Sequence, residues 1–386
     1  MNEKEGKKKR ICFVVAVEIT IKAFMIDHIR VLQQSFDISV VVNTHNIKFL
    51  QPSGVNVTVI PVKIERKIVL FSDVIALIKL YHLFRERKFD IIHSITPKAG
   101  LLAMVAGAIA HIPIRIHTFT GQVWATRAGV ERWFLKTIDK LLVFCATNIL
   151  VDSHSQKNFL LGQRVVSEAK AHVIADGSIC GVDAEKFSPN PAARKAIRDR
   201  FHIHETDITF LFLGRRNRDK GLLDLARAFS KICSEYNNVH LLVVGPDEEN
   251  MKNQMIDICE SCSEKVHFEE YTDVPEQYMS AADVFCLPSY REGFGLVITE
   301  AAAIGIPSIG SRIYGITDAI EDGVTGFFFE PAASHDLMLK MARFVENPSL
   351  IKTMGEKAKI NALEKYSKEK ITSAMLDYYR AIASSL

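Results

Sequence analysis

Residues 208–221 read ITFLFLGRRNRDKG: an apolar run ends at Gly214, and a basic segment separates it from a second glycine, Gly221. The run Ile208–Leu213 has the length and composition of a strand buried on both faces of a parallel sheet. Beyond Gly221, the apolar residues of Leu222–Glu235 recur at helical spacing. The stretch therefore predicts a strand, a short cationic loop and a helix, which is the repeating unit of an α/β fold.

The loop between that strand and that helix concentrates positive charge. Its basic residues are Arg215, Arg216, Arg218 and Lys220. Cations this close repel one another unless an anion binds, and guanidinium groups grip phosphate in a fork to which a lysine adds a point charge. The N-terminus of the following helix contributes unpaired backbone N–H groups. The loop predicts a diphosphate site, and a solvated basic loop is the alternative.

The same alternation of short apolar strands and longer helical segments extends through both halves of the chain. In the first half, strands are predicted at residues 11–17, 38–42, 55–62, 91–94, 114–118 and 148–151, and helices at 23–34, 71–87, 100–110 and 130–144. In the second half, strands are predicted at 208–213, 239–244, 266–268, 284–287 and 307–310, and helices at 222–235, 251–262, 274–281 and 296–304. This pattern indicates two series of parallel βαβ units.

A turn-rich break at residues 187–191 separates the two series. A chain of 386 residues is long for one hydrophobic core, so we expect two Rossmann-like domains, residues 1–190 and 191–367. A last helix within residues 368–386 is expected to pack back on the first domain. Parallel sheets bind ligands at the carboxyl ends of their strands. The chemistry is therefore expected in strand-to-helix loops that face one another across a cleft.

A second candidate loop, residues 289–296, follows the predicted strand 284–287. Gly293 and Gly295 allow the backbone to approach a ligand closely. Glu292 lies in the loop, and Glu300 lies about one turn inside the helix that follows. Carboxylates beside a diphosphate suit hydroxyl groups, so the pair predicts contacts with a sugar ring and a ribose. The alternative makes Glu292 a charge that complements the helix dipole and Glu300 a surface residue.

Together the two loops resemble the retaining glycosyltransferases of the GT-B fold, in the large group 1 family. Gly214-Arg215 and Lys220-Gly221 are similar to that family's G-R-x4-K-G segment, and residues 292–300, EGFGLVITE, resemble its paired-glutamate motif. Residues 310–311 and 322–326 match the segments that follow. In the first half, residues 93–100 and 117–127 are similar to enzymes that extend polyprenyl-diphosphate-linked sugars in O-antigen or capsule assembly.

The resemblance implies roles by position and a retaining reaction. Arg215 and Lys220 would neutralise the leaving diphosphate, and Glu300 would bind ribose. Glu292 would bind donor-sugar hydroxyls, and His117 would lie near the transferred sugar; a buried core histidine is the alternative for His117. The remaining implied donor-binding residues are Gly293, Phe294, Gly295, Leu296 and Val297. The implied donor is a nucleotide sugar, UDP-linked, and no further cofactor is expected.

Other chemistries are excluded or less favoured by missing motifs. No two aspartates have D-x-D spacing, so no metal is expected, and charge neutralisation falls to Arg215, Lys220 and the helix dipole. The absence of G-x-G-x-x-G excludes a dinucleotide oxidoreductase, and the absence of G-K-[ST] excludes a P-loop NTPase. A nucleotide-sugar epimerase of the same fold and a non-catalytic donor-binding subunit remain open alternatives.

Charge and hydropathy bear on location. The net charge of +3 does not indicate a nucleic-acid partner, and we expect neither a signal peptide nor a membrane span. The first ten residues are rich in lysine, and the segment 124–140 mixes Trp124 and Trp133 with basic residues. Both features favour a cytoplasmic enzyme that contacts the anionic inner face of the membrane. A solvated tail and a helix with core aromatics are the alternatives.

The chain has seven cysteines, of which only Cys259 and Cys262 have C-x-x-C spacing. A zinc site needs more ligands than one such pair supplies. The pair is therefore expected to be reduced thiols on a helix.

Overall fold

The computed structural model describes residues 8–65 and 69–386. The basic N-terminal tail, apart from Lys8, Lys9 and Arg10, lies outside these ranges. The chain divides into two compact units, of which one comprises residues up to Cys180 together with Lys368–Leu386, and the other is Gly181–Ser367. Each unit contains its own parallel sheet.

The first unit begins with a βαβ series. Its strands are β1 (Arg10–Val14), β2 (Asp37–Val42), β3 (Thr58–Pro61), β4 (Ile91–Ile95), β5 (Ile114–Phe119), β6 (Asn148–Val151) and β7 (Ala171–Val173). Its helices are α1 (Glu18–Phe24), α2 (Ile26–Leu32), α3 (Leu70–Arg87), α4 (Pro97–Ile109), α5 (Gly129–Cys145) and α6 (His154–Gly162).

The second unit repeats the pattern. Its strands are β8 (Ile208–Leu213), β9 (Val239–Val244), β10 (Val266–Glu269), β11 (Val284–Leu287), β12 (Ser308–Ser311) and β13 (Gly326–Phe329). Its helices are α7 (Pro191–Arg200), α8 (Leu222–Glu235), α9 (Met251–Ile258), α10 (Pro275–Ala281), α11 (Leu296–Ile304), α12 (Ile316–Ala319), α13 (Ser334–Glu346) and α14 (Ser349–Tyr366). The last helix, α15 (Lys368–Ala383), belongs to the first unit.

In the first unit, helices cover both faces of a parallel sheet with the order β3-β2-β1-β4-β5-β6-β7. Side chains alternate along a strand, so β1 sends Cys12 and Val14 to one face and Phe13 to the other. The face of Cys12 packs against α3, α4 and α5, which lie side by side in one layer. The face of Phe13 packs against α2 and α15, with Tyr379 of α15 fully buried.

In the second unit, the sheet has the strand order β10-β9-β8-β11-β12-β13. From β8 the chain adds strands first on one side and then on the other, so the topological switch point lies between β8 and β11. Both neighbours of β8 pair with it in parallel, and the residues of β9 are all buried. In folds of this kind, ligands bind beyond the carboxyl ends of the strands at such a switch point. The two loops singled out in the sequence are the two at this switch point.

Arg198 of α7 is a buried cation that ties this helix to the sheet of the second unit. Its side chain is 2% exposed and lies 3.2 Å from a carboxylate oxygen of Asp283. It also donates to the backbone oxygens of His204, Asp207 and Ala281, at 2.6, 2.6 and 3.0 Å. A buried charge is costly unless it is paired, and these contacts supply the partners of the Arg198 guanidinium. They hold α7 against the sheet.

The predicted α/β class and the two parallel sheets are confirmed. The differences lie at element ends and in elements that were not predicted, which include helices α6, α12, α13 and α14. The predicted helix 23–34 is interrupted at Met25, which divides it into α1 and α2. The predicted helix 251–262 ends at Ile258, so Cys259 and Cys262 do not share an α-helix, and both are buried free thiols. Strands β7 and β13 were not predicted. Within the described ranges, no helix combines the length and apolarity needed to cross a bilayer.

Candidate active site

The cationic loop that follows β8 is tied to both neighbouring strands. The Gly214 N–H donates to the Val244 carbonyl oxygen at the end of β9, at 2.9 Å. Gly221 has a left-handed φ of +66°, and a Cβ there would lie 1.9 Å from the Pro288 carbonyl oxygen. Only glycine fits this position, because the loop lies directly against the first residue after β11.

Lys220 and Glu292 bring the two candidate loops together. The Lys220 Nζ lies 2.5 Å from Glu292 Oε1, and the side chains are 18% and 15% exposed. The Ser289 hydroxyl donates to the same carboxylate oxygen at 2.8 Å. Charges so largely removed from water interact more strongly than surface pairs. Two residues predicted from separate motifs are thus direct partners at the switch point of the sheet.

Arg215 projects from the same loop towards solvent, with about half of its side chain exposed. Its Nη1 donates to both carboxylate oxygens of Glu248, each at 3.2 Å. The Asn217 amide donates to Glu248 as well, at 2.7 Å. Glu248 follows β9 and was not predicted as a site residue. The sheet topology could have indicated it. Since β9 pairs with β8, the acidic loop after β9 lies beside the cationic loop after β8.

The other two arginines of the loop differ from Arg215. Arg216 is fully buried, with its Nη2 2.6 Å from Glu270 and its guanidinium over the Phe268 ring. Arg218 is exposed, and its backbone N–H, rather than its side chain, donates to Glu249 at 3.0 Å. The four cations of the loop therefore do not all point to one anion site, because Arg216 is buried against Glu270. The phosphate-binding roles of Arg215 and Lys220 stay a prediction.

Asp219 cross-links the two loops through both its backbone and its side chain. Its carbonyl oxygen accepts the Tyr290 N–H at 2.8 Å, and its carboxylate accepts from Arg291 at 3.1 Å. The Tyr290 hydroxyl in turn donates to Asp224 in the first turn of α8. These contacts were not predicted. They fix the backbone on both sides of the Lys220–Glu292 pair.

The N-terminus of α11 offers backbone N–H groups next to this pair. Gly295 is the N-cap residue, and no side chain caps the helix there. The Gly295 N–H donates to the Gly315 carbonyl oxygen at 3.4 Å, while Leu296 and Val297 begin the first turn and are half-buried. Phe294 is buried, with its ring centroid 5.1 Å from that of Tyr366. An uncapped helix N-terminus favours an anionic ligand.

Glu300, in the second turn of α11, is half-buried. Removal of water from around its carboxyl group raises the pKa to about 8; nearby Lys186 opposes this rise and Glu276 adds to it. Glu300 therefore takes up a proton at a higher pH than an ordinary glutamate does. A protonated carboxyl group can both donate and accept a hydrogen bond, which suits a vicinal diol.

His117 lies on β5 in the first unit and is buried, with 1% of its surface exposed. Its Nδ1 lies 2.9 Å from the Ser94 hydroxyl, and α4 packs so closely that a Cβ on Gly100 would lie 2.4 Å from the ring. Burial lowers the pKa of His117 to about 3, although the Ser94 contact raises it, so the ring is neutral. Its proximity to a transferred sugar stays a prediction.

Comparison with known proteins accounts for both units. Residues 193–361 match the family model for glycosyl transferases group 1, and residues 30–177 match that for a glycosyl transferase 4-like domain. Among solved structures, Anabaena HepE in complex with UDP superposes with a TM-score of 0.78 at 18% identity, over 97% of this chain and 100% of HepE. Sucrose-phosphate synthase from Thermosynechococcus elongatus gives 0.79 at 19% identity, over 98% and 100%. These likenesses confirm the GT-B fold.

Relatives in sequence span most of the chain. The capsular polysaccharide biosynthesis glycosyltransferase CapM of Staphylococcus aureus is 32% identical over 83% of this chain and 84% of its own length. The Escherichia coli UDP-Gal:α-D-GlcNAc-diphosphoundecaprenol α-1,3-galactosyltransferase is 28% identical over 69% and 68%. With the cationic loop, the paired glutamates and the switch-point geometry in place, the chain belongs to the group 1 glycosyltransferases.

Proposed function

We propose that the protein transfers a sugar from a UDP-sugar to a polyprenyl-diphosphate-linked saccharide, with retention at the anomeric carbon and without a metal. The product would be a precursor of a bacterial surface polysaccharide. The Lys220–Glu292 pair at the switch point carries the proposal, because it joins a phosphate-binding cation to a hydroxyl-binding carboxylate. The name of the E. coli relative supports the acceptor class, and the name of CapM supports a surface polysaccharide as the end product.

In the proposed reaction, donor binding exchanges one anion for another. Lys220 and Arg215 each hold a carboxylate, from Glu292 and Glu248 respectively. A diphosphate that takes over these cations leaves the Glu292 oxygens available for hydroxyls of the donor sugar. The leaving diphosphate is then stabilised by groups that are already in position, which lowers the barrier.

The proposal gives further roles to residues of α11 and to His117. The first-turn N–H groups of Leu296 and Val297 would hold the distal phosphate, next to the backbone of residues 293–295. The Leu296 N–H donates to the Phe294 carbonyl oxygen at 2.8 Å and would exchange that partner for the phosphate. Glu300 would bind the ribose hydroxyls, for which its protonated state supplies both a donor and an acceptor. His117 is proposed to lie near the transferred sugar, where a neutral ring can share a hydrogen bond with a hydroxyl.

A donor screen with the purified protein tests the activity as a whole. Release of nucleotide from a UDP-sugar should require a polyprenyl-diphosphate-linked sugar acceptor. Consumption of the donor with no acceptor present would instead identify a nucleotide-sugar epimerase. A failure of every acceptor, with nucleotide binding intact, would favour a non-catalytic donor-binding subunit.

The stereochemical outcome is the first specific prediction. Transfer from an α-linked UDP-sugar is expected to give an α-linked product, because the paired-glutamate motif 292–300 is that of retaining enzymes. The coupling constant of the new anomeric proton, measured by NMR on the product, decides the matter. A β-linked product would remove the retaining mechanism from the proposal.

The second prediction concerns metals. Transfer is expected to continue at its full rate in excess EDTA, because Lys220, Arg215 and the N-terminus of α11 supply the positive charge that a metal would provide. Among the residues with described positions, no group of three or more metal-ligating side chains is present. Activity that EDTA abolishes and Mg²⁺ or Mn²⁺ restores would contradict this expectation.

We further propose that the enzyme works at the inner face of the cytoplasmic membrane, where a polyprenyl-linked acceptor is anchored. The basic N-terminal sequence supports this location through its attraction to anionic lipid, which acts within about 8 Å at physiological salt.

A further inference from the structure

Helix α5 has an apolar stripe on its exposed side. Val130, Trp133, Phe134, Leu141 and Phe144 recur at helical spacing and therefore lie on one face. Their exposed fractions are 80%, 66%, 49%, 48% and 81%. An ordinary surface helix turns its apolar stripe inwards and its polar residues outwards, so this stripe is unusual in a water-exposed position.

Helix α3 has a second exposed stripe of the same kind. Its first turns expose Leu70 and Phe71, each 79% accessible, and then Val74, Ile75 and Ile78. The opposite side of α3, with Leu80 and Phe84, is the one that packs into the core. Helix α3 thus has two apolar faces, of which the protein interior covers only one.

The two stripes belong to one layer. Helix α4 packs between α3 and α5 on the same face of the sheet, and it adds Ile109, which is 55% exposed. We call this surface of α3, α4 and α5 the outer-layer patch. Single exposed apolar residues are normal on proteins, but a set on three neighbouring helices marks an interaction surface.

The charges around the outer-layer patch are predominantly positive. In residues 69–88, 97–109 and 127–145, the exposed acidic residues are Glu86 and Glu131. The exposed basic residues are Lys79, Arg85, Arg87, Lys88, Arg127 and Lys140. The other acidic residues of these segments are less accessible, since Asp139 is buried against Trp124 and Asp73 pairs with Lys98. An apolar surface with a basic border is complementary to an anionic bilayer.

The structure also separates the two tryptophans that the sequence placed in one aromatic–basic segment. Trp124 is 1% exposed, donates to Asp139 at 2.7 Å and stacks on Phe159. The cationic groups of Arg132 and Lys136 lie over its ring at 5.2 and 5.4 Å. Trp124, Arg132 and Lys136 therefore make contacts within the unit, whereas Trp133 is two-thirds exposed. Of the residues that the sequence suggested, Trp133, Arg127 and Lys140 are therefore exposed to a partner, whereas Trp124 is not.

We propose that the outer-layer patch is the membrane-docking surface of this protein, with the apolar stripes of α3 and α5 inserted at the headgroup boundary of an anionic bilayer. The biological reason for docking rests on the proposed lipid-linked acceptor. The observations that support the docking surface are independent of the active site. A second copy of the chain fits the patch less well, because a two-fold interface would bring the two basic borders together.

Vesicle sedimentation with the full-length protein tests the proposal. Trp133→Ser/Phe144→Ser and Phe71→Ser/Val74→Ser are each expected to reduce partition onto phosphatidylcholine vesicles containing phosphatidylglycerol by about tenfold or more, as loss of two buried apolar side chains implies. The matched control is Leu339→Ser/Ile360→Ser, which removes side chains 48% and 57% exposed in the second unit. This control should bind like the wild type.

Tryptophan fluorescence provides a second readout, because the chain has two tryptophans and Trp124 is buried. Emission should shift to the blue and become protected from acrylamide when anionic vesicles are added, and Trp133→Phe should abolish the change. Equal binding by the α5 double variant and the wild type would overturn the proposal. So would a wild-type dimer in light scattering that the same variant converts to monomers. Unchanged transfer by this variant to a short-chain soluble acceptor would separate docking from catalysis.

Discussion

Replacement of Lys220 by alanine is expected to remove about 2–4 kcal/mol of transition-state stabilisation from sugar transfer, the amount typical of one lost charge-stabilising donor. The loss has two causes in the structure. The leaving diphosphate loses its most shielded cation, and Glu292 loses the partner that lies 2.5 Å away in a largely buried setting. Steady-state kcat/KM from nucleotide release measures the effect. Arg215→Ala should act in the same direction.

The matched control for this prediction is Arg218→Ala. Arg218 lies in the same loop and has the same charge as Arg215, but its side chain is exposed and it is its backbone N–H that donates to Glu249. Its variant is expected to turn over at close to the wild-type rate. If Lys220→Ala and Arg218→Ala have equal activity, general loop charge rather than a specific phosphate contact is responsible, and the diphosphate assignment fails. Thermal unfolding of each variant verifies that the fold is intact.

Replacement of Arg198 by methionine is expected to lower the free energy of unfolding by about 3 kcal/mol, since it removes one of the two cations of Asp283, the other being Arg194 at 3.0 Å. Several carbonyl oxygens that accept from the guanidinium also lose their partner, which adds to the cost. Urea unfolding followed by circular dichroism gives the value.

Lys195→Met on the same helix is the control for Arg198. Lys195 is 78% exposed and pairs with Asp199 one turn along α7. Exposed pairs of this type contribute little to stability, so the control should unfold almost as the wild type does. A change below about 1 kcal/mol in Arg198→Met would show that the ion pair only offsets its own desolvation.

Local patterns in the sequence were sufficient for the elements that form the candidate site. The apolar run Ile208–Leu213 is fully informative because a strand covered on both faces needs a continuous apolar segment. Gly221 and the spacing of Glu292 and Glu300 could also be interpreted from a few neighbouring residues in the sequence. Edge strands were harder: β7 has three residues, and short segments give too little periodicity to distinguish strand from loop.

The sequence by itself determined the α/β class, the two candidate loops and the family resemblance, because each depends on residues that are close in the chain. Only the tertiary structure decided which side chains meet. Arg215 and Arg216 are adjacent and chemically identical, yet one reaches Glu248 near solvent and the other is buried against Glu270. Burial, and with it the pKa of Glu300 and the exposure of Trp133, depends on segments that are distant in sequence and packed by the fold.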